Sequence, residues 1–427
     1  MSDGRKIFPI TQGVACQLKW TWHSLSFYEG VSSSCHRVKS VPLNKDNFDN
    51  FHNHPNWIEQ RKLQLSGIFP DQGCQYCGDV EKDGGTSDRM VQNEVEGVYP
   101  SELDTEPLAT FVTPRMLEVY FDNSCNLSCL YCSESNSSRI EKENIKFGRL
   151  IPGIPDQSNL VNTTKEYIGS KNKDELTNLF FDYLEKNYST LRRLQVLGGE
   201  PLYQKQFFRL LEFLKIKKNP DLVLSIQSNL MVSKKVLNTV IQELKILVKQ
   251  RKIKRFDVTA SLDGDGQSEE IVRYGLNLSQ WKENFELLCS NKWIYLSINS
   301  TITSLNIPNL PALLDYISSR SEEMQRQINY EFGMVIGNDI LHPKIFPPGF
   351  FDNYFKSILS KMNNRTVREQ KLVEHMESVQ NTVNNSEENK EYQYYLKKFL
   401  EEFDRRRNTN WKLNFPHLVD KLKNLET

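Results

Sequence analysis

The sequence predicts an α/β fold built on a parallel sheet, with a small cysteine-rich hairpin segment before it and a helical segment after it. Three observations carry this expectation. Short apolar runs alternate with amphipathic helical stretches between residues 174 and 335, the pattern of repeated βα units. Seven of the eight cysteines fall in two clusters with ligand-like spacing, one on each side of residue 105. Beyond residue 341 only helical periodicity remains.

The totals set bounds on function. A chain of 427 residues has room for two or three domains at ~100–200 residues each. Lysine plus arginine equals aspartate plus glutamate at 54 each, which removes the footprint of a nucleic-acid or membrane-surface binder. There is no run of ~18 apolar residues to span a bilayer, and the first residues lack the apolar core of a signal peptide. The expected location is the cytoplasm, where clustered cysteines point to metal rather than to disulfides.

In order along the chain, residues 18–28 carry Trp20, Trp22, Leu25 and Phe27 and meet Glu29-Gly30, which reads as a strand entering a hairpin turn. Cys16 precedes this strand and Cys35 follows the turn. An amphipathic stretch at 57–65 predicts a short helix that leads through Gly67 to Cys74-Gln75-Tyr76-Cys77. Four thiols at two places can close either a tetrahedral zinc site or an iron–sulfur cubane. They suffice without His23, His36, His52 or His54, which are read as packing or surface residues. The glycine-containing loop at 81–89 lacks the ending of a P-loop, and residues 98–114 read as a linker.

Residues 116–121 predict the first strand of the sheet, and Asp122-Asn123-Ser124 turns the chain into Cys125-Asn126-Leu127-Ser128-Cys129-Leu130-Tyr131-Cys132. Three thiolates suit three irons of a cubane and leave the fourth without a protein ligand. A zinc knuckle or buried structural thiols are the competing readings. Residues 133–173 are polar and read as an insertion, either a lid or a surface loop. Strands follow at 194–197, 222–227, 256–261, 294–301 and 328–335, and helices at 174–188, 206–216, 233–249, 279–290 and 310–318.

Such sheets bind ligands at the carboxyl ends of their strands, where the remaining motifs lie. Gly198-Gly199-Glu200-Pro201 follows the second strand and Gln227-Ser228-Asn229 ends the third. Ser261-Leu262-Asp263-Gly264 ends the fourth, with Arg273 twelve residues after Ser261. Asn299 and Met334 are candidate neighbours on the last two strands. Cys289, on the apolar face of a helix, reads as a buried small hydrophobe.

The C-x3-C-x2-C spacing with Tyr131 before the last cysteine resembles the cluster loop of the radical S-adenosylmethionine (radical SAM) enzymes. The resemblance implies a partial (β/α)6 TIM-like barrel over 110–340, with Cys125, Cys129 and Cys132 holding a SAM-binding [4Fe–4S] cluster. It implies that Gly198, Gly199, Glu200 and Pro201 bind the SAM amino group. Ser228 and Asn229 would lie near the ribose, Ser261 and Arg273 on the carboxylate with Asp263 beside them, and Tyr131 near the adenine. A guanidinium fork with a hydroxyl suits a carboxylate.

The spacing of Cys16, Gly30, Cys35, Cys74 and Cys77, with Trp57 and Arg61, resembles the twitch module, the shorter relative of the SPASM domain. It implies an auxiliary iron–sulfur cluster on residues 1–105. The order is a departure, because in the relatives this module follows the core. The resemblance further implies a peptide or protein substrate, with a sugar, nucleotide or other small molecule as the alternative. An external electron donor such as flavodoxin or ferredoxin is also implied. The reading from another class is a non-enzymatic zinc-binding scaffold. Residues 341–427 are expected to form a helical cap.

Overall fold

The computed structural model describes residues 14–71, 73–82, 84–85, 87–93, 111–148, 168–363 and 366–425. Residues 94–110, which hold most of the expected linker, and 149–167 of the expected insertion lie outside them. A nine-stranded sheet organises the chain: β1 (Trp22–Ser26), β2 (Val31–Ser33), β3 (Val41–Pro42), β4 (Met116–Tyr120), β5 (Arg193–Leu197), β6 (Val223–Ser228), β7 (Arg255–Ser261), β8 (Tyr295–Ile302) and β9 (Asn329–Met334). Its spatial order is β9-β8-β7-β6-β5-β4-β1-β2-β3, open at both edges.

Strands β4 to β9 are all parallel and stand in sequence order. Right-handed crossovers that never reverse direction put every connecting helix on the same face. The strands alternate accordingly. Leu194, Val196, Leu224, Ile226, Val258, Ala260, Leu296 and Ile298 belong to the buried core. It is shared with helices such as Lys205–Ile216, Lys234–Lys249 and Leu278–Cys289, the last of which buries Cys289 as expected. The residues between them, including Gln195, Gln227, Thr259 and Asn299, point to the opposite face and are only half-buried. That face is polar, so it does not pack shut.

The N-terminal hairpin continues this sheet. Strand β1 pairs in parallel with β4, from Trp22 opposite Met116 to Ser26 opposite Tyr120, and β2 returns antiparallel to β1. The expected strand at 18–28 is shorter than its aromatic content suggested. Leu18–Thr21 is a helical turn, with the Thr21 hydroxyl donating to the Gln17 carbonyl at 2.9 Å. Lys19, Trp20 and Thr21 are all buried there, so no half-exposed strand alternation operates. Phe27 then anchors the hairpin, with ring centroids 5.8 Å from both Phe121 and Phe180 and 6.2 Å from Phe48.

The expected insertion begins as a helix, Ser138–Phe147, whose first turn is capped by the Ser137 side chain accepting from the Ile140 N–H. Its polar composition hid a periodicity that buries only Ile140 and Asn144. The next helix, Ile168–Asn187, starts ahead of the expected 174. After β9 come Asp352–Lys361, Val367–Asn384, Lys390–Arg407 and two short helices, as the periodicity predicted. Arg407 ends the third of these. Its guanidinium sits 3.0 Å from a Glu143 carboxylate oxygen and 4.6 Å over the Tyr274 ring. Among the described residues no helix is long and apolar enough to cross a membrane.

Because Phe27 is fully buried among rings of both the hairpin and the sheet, its replacement by alanine is expected to cost ~3–5 kcal/mol. Urea unfolding should shift as a single transition. A separate early transition, with the main one unmoved, would show that the hairpin folds on its own.

Candidate functional site

The chain leaves β4 through Asp122 and returns through a two-stranded ribbon, Ser128–Cys129 against Arg273–Tyr274, in which Cys129 stands opposite Arg273. The Leu130 N–H donates to the Val272 carbonyl at 2.8 Å, the Ser137 hydroxyl to Leu127 at 2.6 Å, and the Cys125 N–H to Ser138 Oγ at 3.2 Å. The three-cysteine loop is therefore pinned on both sides rather than free.

The glycine turn presses against this loop. Gly198 and Gly199 have φ of +77° and +55°, a region that side chains disfavour. A Cβ on Gly199 would stand 2.3 Å from the Ser124 carbonyl oxygen, and one on Gly198 2.7 Å from the Tyr120 ring. The Glu200 N–H donates to that same Ser124 carbonyl at 2.9 Å. The Glu200 carboxylate is wholly buried and accepts from Asn229 N–H (2.7 Å), Ser228 Oγ (2.8 Å) and Leu202 N–H (3.1 Å). Burial pushes it up to about 7, against the pull of those donors. Asn229 in turn aims its amide at Cys125 Sγ, 3.7 Å away.

Arg273 is held from behind. Its Nε donates to Asp263 Oδ2 at 2.9 Å and lies 3.5 Å from Glu269, while Nη1 stands 3.9 Å from Cys129 Sγ. Asp263 also accepts from the Tyr131 hydroxyl (2.5 Å) and from the Thr301 N–H (2.8 Å). Burial and the neighbouring Asp263 carboxylate push Glu269 well up.

These elements surround a cavity of about 930 Å³. Of the predicted site residues, Cys125, Cys129, Tyr131, Cys132, Gly198, Gly199, Asn229, Ser261 and Arg273 line it. Glu200, Pro201, Ser228 and Asp263 stand behind the lining, and Thr301 faces the cavity in place of Asn299, two residues earlier on β8. Sequence reasoning missed the other wall. It comes from β1, β2 and the hairpin turn, with Ser24, Ser26, Glu29, Ser32 and Ser33. His36 pairs with buried Glu118 at 3.4 Å. Burial works to lower His36, but the hydrogen bond to Glu118 prevails and lifts it. Ser32 and Asn338 belong to the residues around the cavity, and the Ser32 hydroxyl and both polar atoms of the Asn338 carboxamide are buried without a hydrogen-bond partner in the protein. Strand alternation would have marked the serine wall, had β1 been recognised as part of the same sheet.

The four N-terminal cysteines form a second group outside the cavity lining. Cys16 and Cys74 are buried, Cys35 and Cys77 half-buried, and none is in a disulfide. Gly73 permits the approach, since a Cβ there would stand 2.0 Å from the Arg37 carbonyl oxygen. The Arg37 N–H meets Cys35 Sγ at 3.5 Å, Gln64 Nε2 meets Cys74 Sγ at 3.8 Å, and backbone N–H groups of Leu18 and Arg89 meet Cys16 and Cys77. His23 and His52 are buried against each other at 3.1 Å, packing residues as expected.

Both cysteine sets fit iron–sulfur chemistry in their donors. Burial pushes Cys125 up to about 12, Cys129 up to about 11 and Cys16 up to about 12, so these thiols ionise when a cation stabilises the thiolate. Hydrogen bonds to the sulfurs are the usual second shell of such clusters. Among the described residues no three His, Cys, Asp or Glu side chains gather tightly enough for a single metal ion. A cubane spreads its thiolates wider, one to each iron.

No protein-family model matches the chain, and no curated protein matches it. Among solved structures it is similar to native anSMEcpe with bound AdoMet, at 17% identity and a TM-score of 0.35, over 67% of this chain and 66% of that one. It is also similar to native anSMEcpe with bound AdoMet and Cp18Cys peptide, at 17% identity and a TM-score of 0.31, over 57% of each chain. The chain thus spans less than two thirds of the length of either. A likeness this slight carries nothing about chemistry, which rests on the side chains.

Two measurements test the geometry. Gly67 and Gly199 both have positive φ, but a Cβ on Gly67 meets nothing within 4 Å. Alanine should cost ~1–2 kcal/mol at Gly67 and clearly more at Gly199, by denaturant titration. Equal losses would remove the contact between turn and loop. Glu200 binds its proton more tightly folded than unfolded, so native stability should fall by about 1.4 kcal/mol per pH unit between its ordinary 4.5 and about 7. Glu200→Gln should lack that component of the slope.

Proposed function

We propose that the chain is a radical SAM enzyme, with its six parallel strands read as a partial (β/α)6 barrel and residues 1–105 as a twitch-like module. The observation that carries the reading is the convergence of Cys125, Cys129, Cys132, Gly199, Ser261 and Arg273 on one cavity at the carboxyl ends of the strands. In this reading the three cysteines hold a [4Fe–4S] cluster, which with bound SAM supplies the electron that releases a 5′-deoxyadenosyl radical for hydrogen abstraction. Cys16, Cys35, Cys74 and Cys77 hold the auxiliary cluster, with zinc as the alternative occupant.

The chain's own residues bind and orient. Asp263 occupies the Nε side of Arg273, leaving Nη1 to take the SAM carboxylate with the Ser261 hydroxyl as second donor. Glu200, one layer back, braces Ser228 and Asn229 from behind the glycine turn. The ribbon under Cys129 keeps the loop and Arg273 in one piece. A substrate would lie against the β1–β2 wall of Ser24, Ser26 and Ser33.

A peptide or protein is the first substrate class, on the resemblance to twitch and SPASM enzymes. A sugar or nucleotide is favoured instead by the hydroxyl-bearing wall of Ser24, Ser26 and Ser33. Flavodoxin or ferredoxin would serve as electron donor.

The test is anaerobic reduction with dithionite in the presence of SAM, followed by assay for 5′-deoxyadenosine. The native protein should form it, Cys129→Ala should fall by ~100-fold or more, and Cys74→Ala should keep some cleavage. Equal yields from the native protein and Cys129→Ala would overturn the assignment. Roughly eight irons with matching sulfide are expected; zinc without sulfide would favour the scaffold reading.

A further inference from the structure

Lys19 is 1% exposed, a rare place for an ammonium without a charged partner. Its Nζ donates to Ser34 Oγ at 2.9 Å and to Gln60 Oε1 at 2.5 Å. Both acceptors are neutral. The acids that flank the four cysteines are otherwise engaged, Asp88 with Arg37 and Glu81 with Arg89, and among the described residues no carboxylate forms an ion pair with Lys19. What surrounds the ammonium is the cysteine set: Ser34 precedes Cys35, and Gln64, one helical turn beyond Gln60, donates to Cys74 Sγ at 3.8 Å and accepts the Cys16 N–H at 3.1 Å, so the charge of Lys19 acts on Cys74 and Cys16. The Trp57 ring, 5.7 Å from Nζ, closes off one side.

A buried cation needs an anion, and the anion within reach is a metal-bound thiolate set. We infer that Lys19 is the buried counter-ion of the four-cysteine centre and holds its reduction potential up. This rests on the reading of Cys16, Cys35, Cys74 and Cys77 as an iron–sulfur site. Four thiolates leave a cluster with net negative charge, and reduction adds another. A fixed positive charge beside the cysteine set stabilises the reduced state more than the oxidised one, so the potential rises. Ser34 and Gln60 act as positioning residues that hold the ammonium beside the cysteine set rather than neutralise it.

The experiment uses the full chain with Cys125, Cys129 and Cys132 replaced by alanine, so that only the N-terminal centre contributes, and compares Lys19→Met, Lys19→Gln and Lys19→Arg by iron and sulfide analysis and by potentiometric titration followed by EPR. Lys19→Met and Lys19→Gln are expected to keep iron and sulfide while the reduced-to-oxidised ratio at a given potential falls tenfold or more, ~59 mV or more to the negative for one electron. Lys19→Arg should stay near the native midpoint. Cluster loss from the two neutral variants with retention in Lys19→Arg also supports the inference. An unmoved midpoint in iron-replete Lys19→Met or Lys19→Gln overturns it, as does loss of the cluster from all three, which would make Lys19 a matter of shape. Zinc without sulfide in the parent protein overturns the iron–sulfur reading itself, and is told apart by the metal analysis alone.

Discussion

The close approach of Gly199 to the carbonyl of Ser124 is the constraint on which the site depends. It leaves no room for a methyl group, and it ties the end of β5 to the residue preceding the first of three cysteines. From that contact the rest follows outward. Glu200 can bond back to Ser124, its carboxylate can gather Ser228 and Asn229, and Asn229 can face Cys125. The other end of the loop is fixed independently, by the ribbon that sets Cys129 opposite Arg273. A loop held at both ends by short contacts keeps its thiols in place with little further ordering cost.

The cavity exists because one face of a parallel sheet was not made apolar. In β5, β7 and β8 the residues between core positions are Gln195, Thr259 and Asn299, and such a face stays open because polar groups are costly to bury unpaired. The hairpin adds a serine-rich strand pair to the same face. The hairpin that carries Cys16 and Cys35 at its two ends is thereby part of the same sheet as the strand before Cys125.

Much of this was legible in the sequence. The parallel strands and their helices follow from periodicity, the glycine turn and Ser261 from their places at strand ends, and Arg273 only from the resemblance to the radical SAM enzymes. What could not be read were contacts between distant segments. The sequence places Asp263 beside Ser261 and Arg273, but does not show its carboxylate accepting from Arg273, Tyr131 and Thr301 at once. Nothing local in β1 announces that it pairs with β4, because a strand's sequence shows its burial and not its neighbour. The helix Ser138–Phe147 escaped notice because only Ile140 and Asn144 are buried on it, too few to mark a face. Lys19 escaped for a related reason: a lysine in an aromatic stretch looks like an exposed position until its burial is seen.

The ion pair between Arg407 and Glu143 joins residues 264 apart in the chain, and Arg407 also covers Tyr274 in the ribbon under Cys129. At ~5–20 residues per second on the ribosome, the arginine is made roughly 13–50 s after its partner. Until then the cysteine loop lacks its outer brace. The ribbon that carries Cys129 is therefore completed only once the last long helix has been made and has folded back across it.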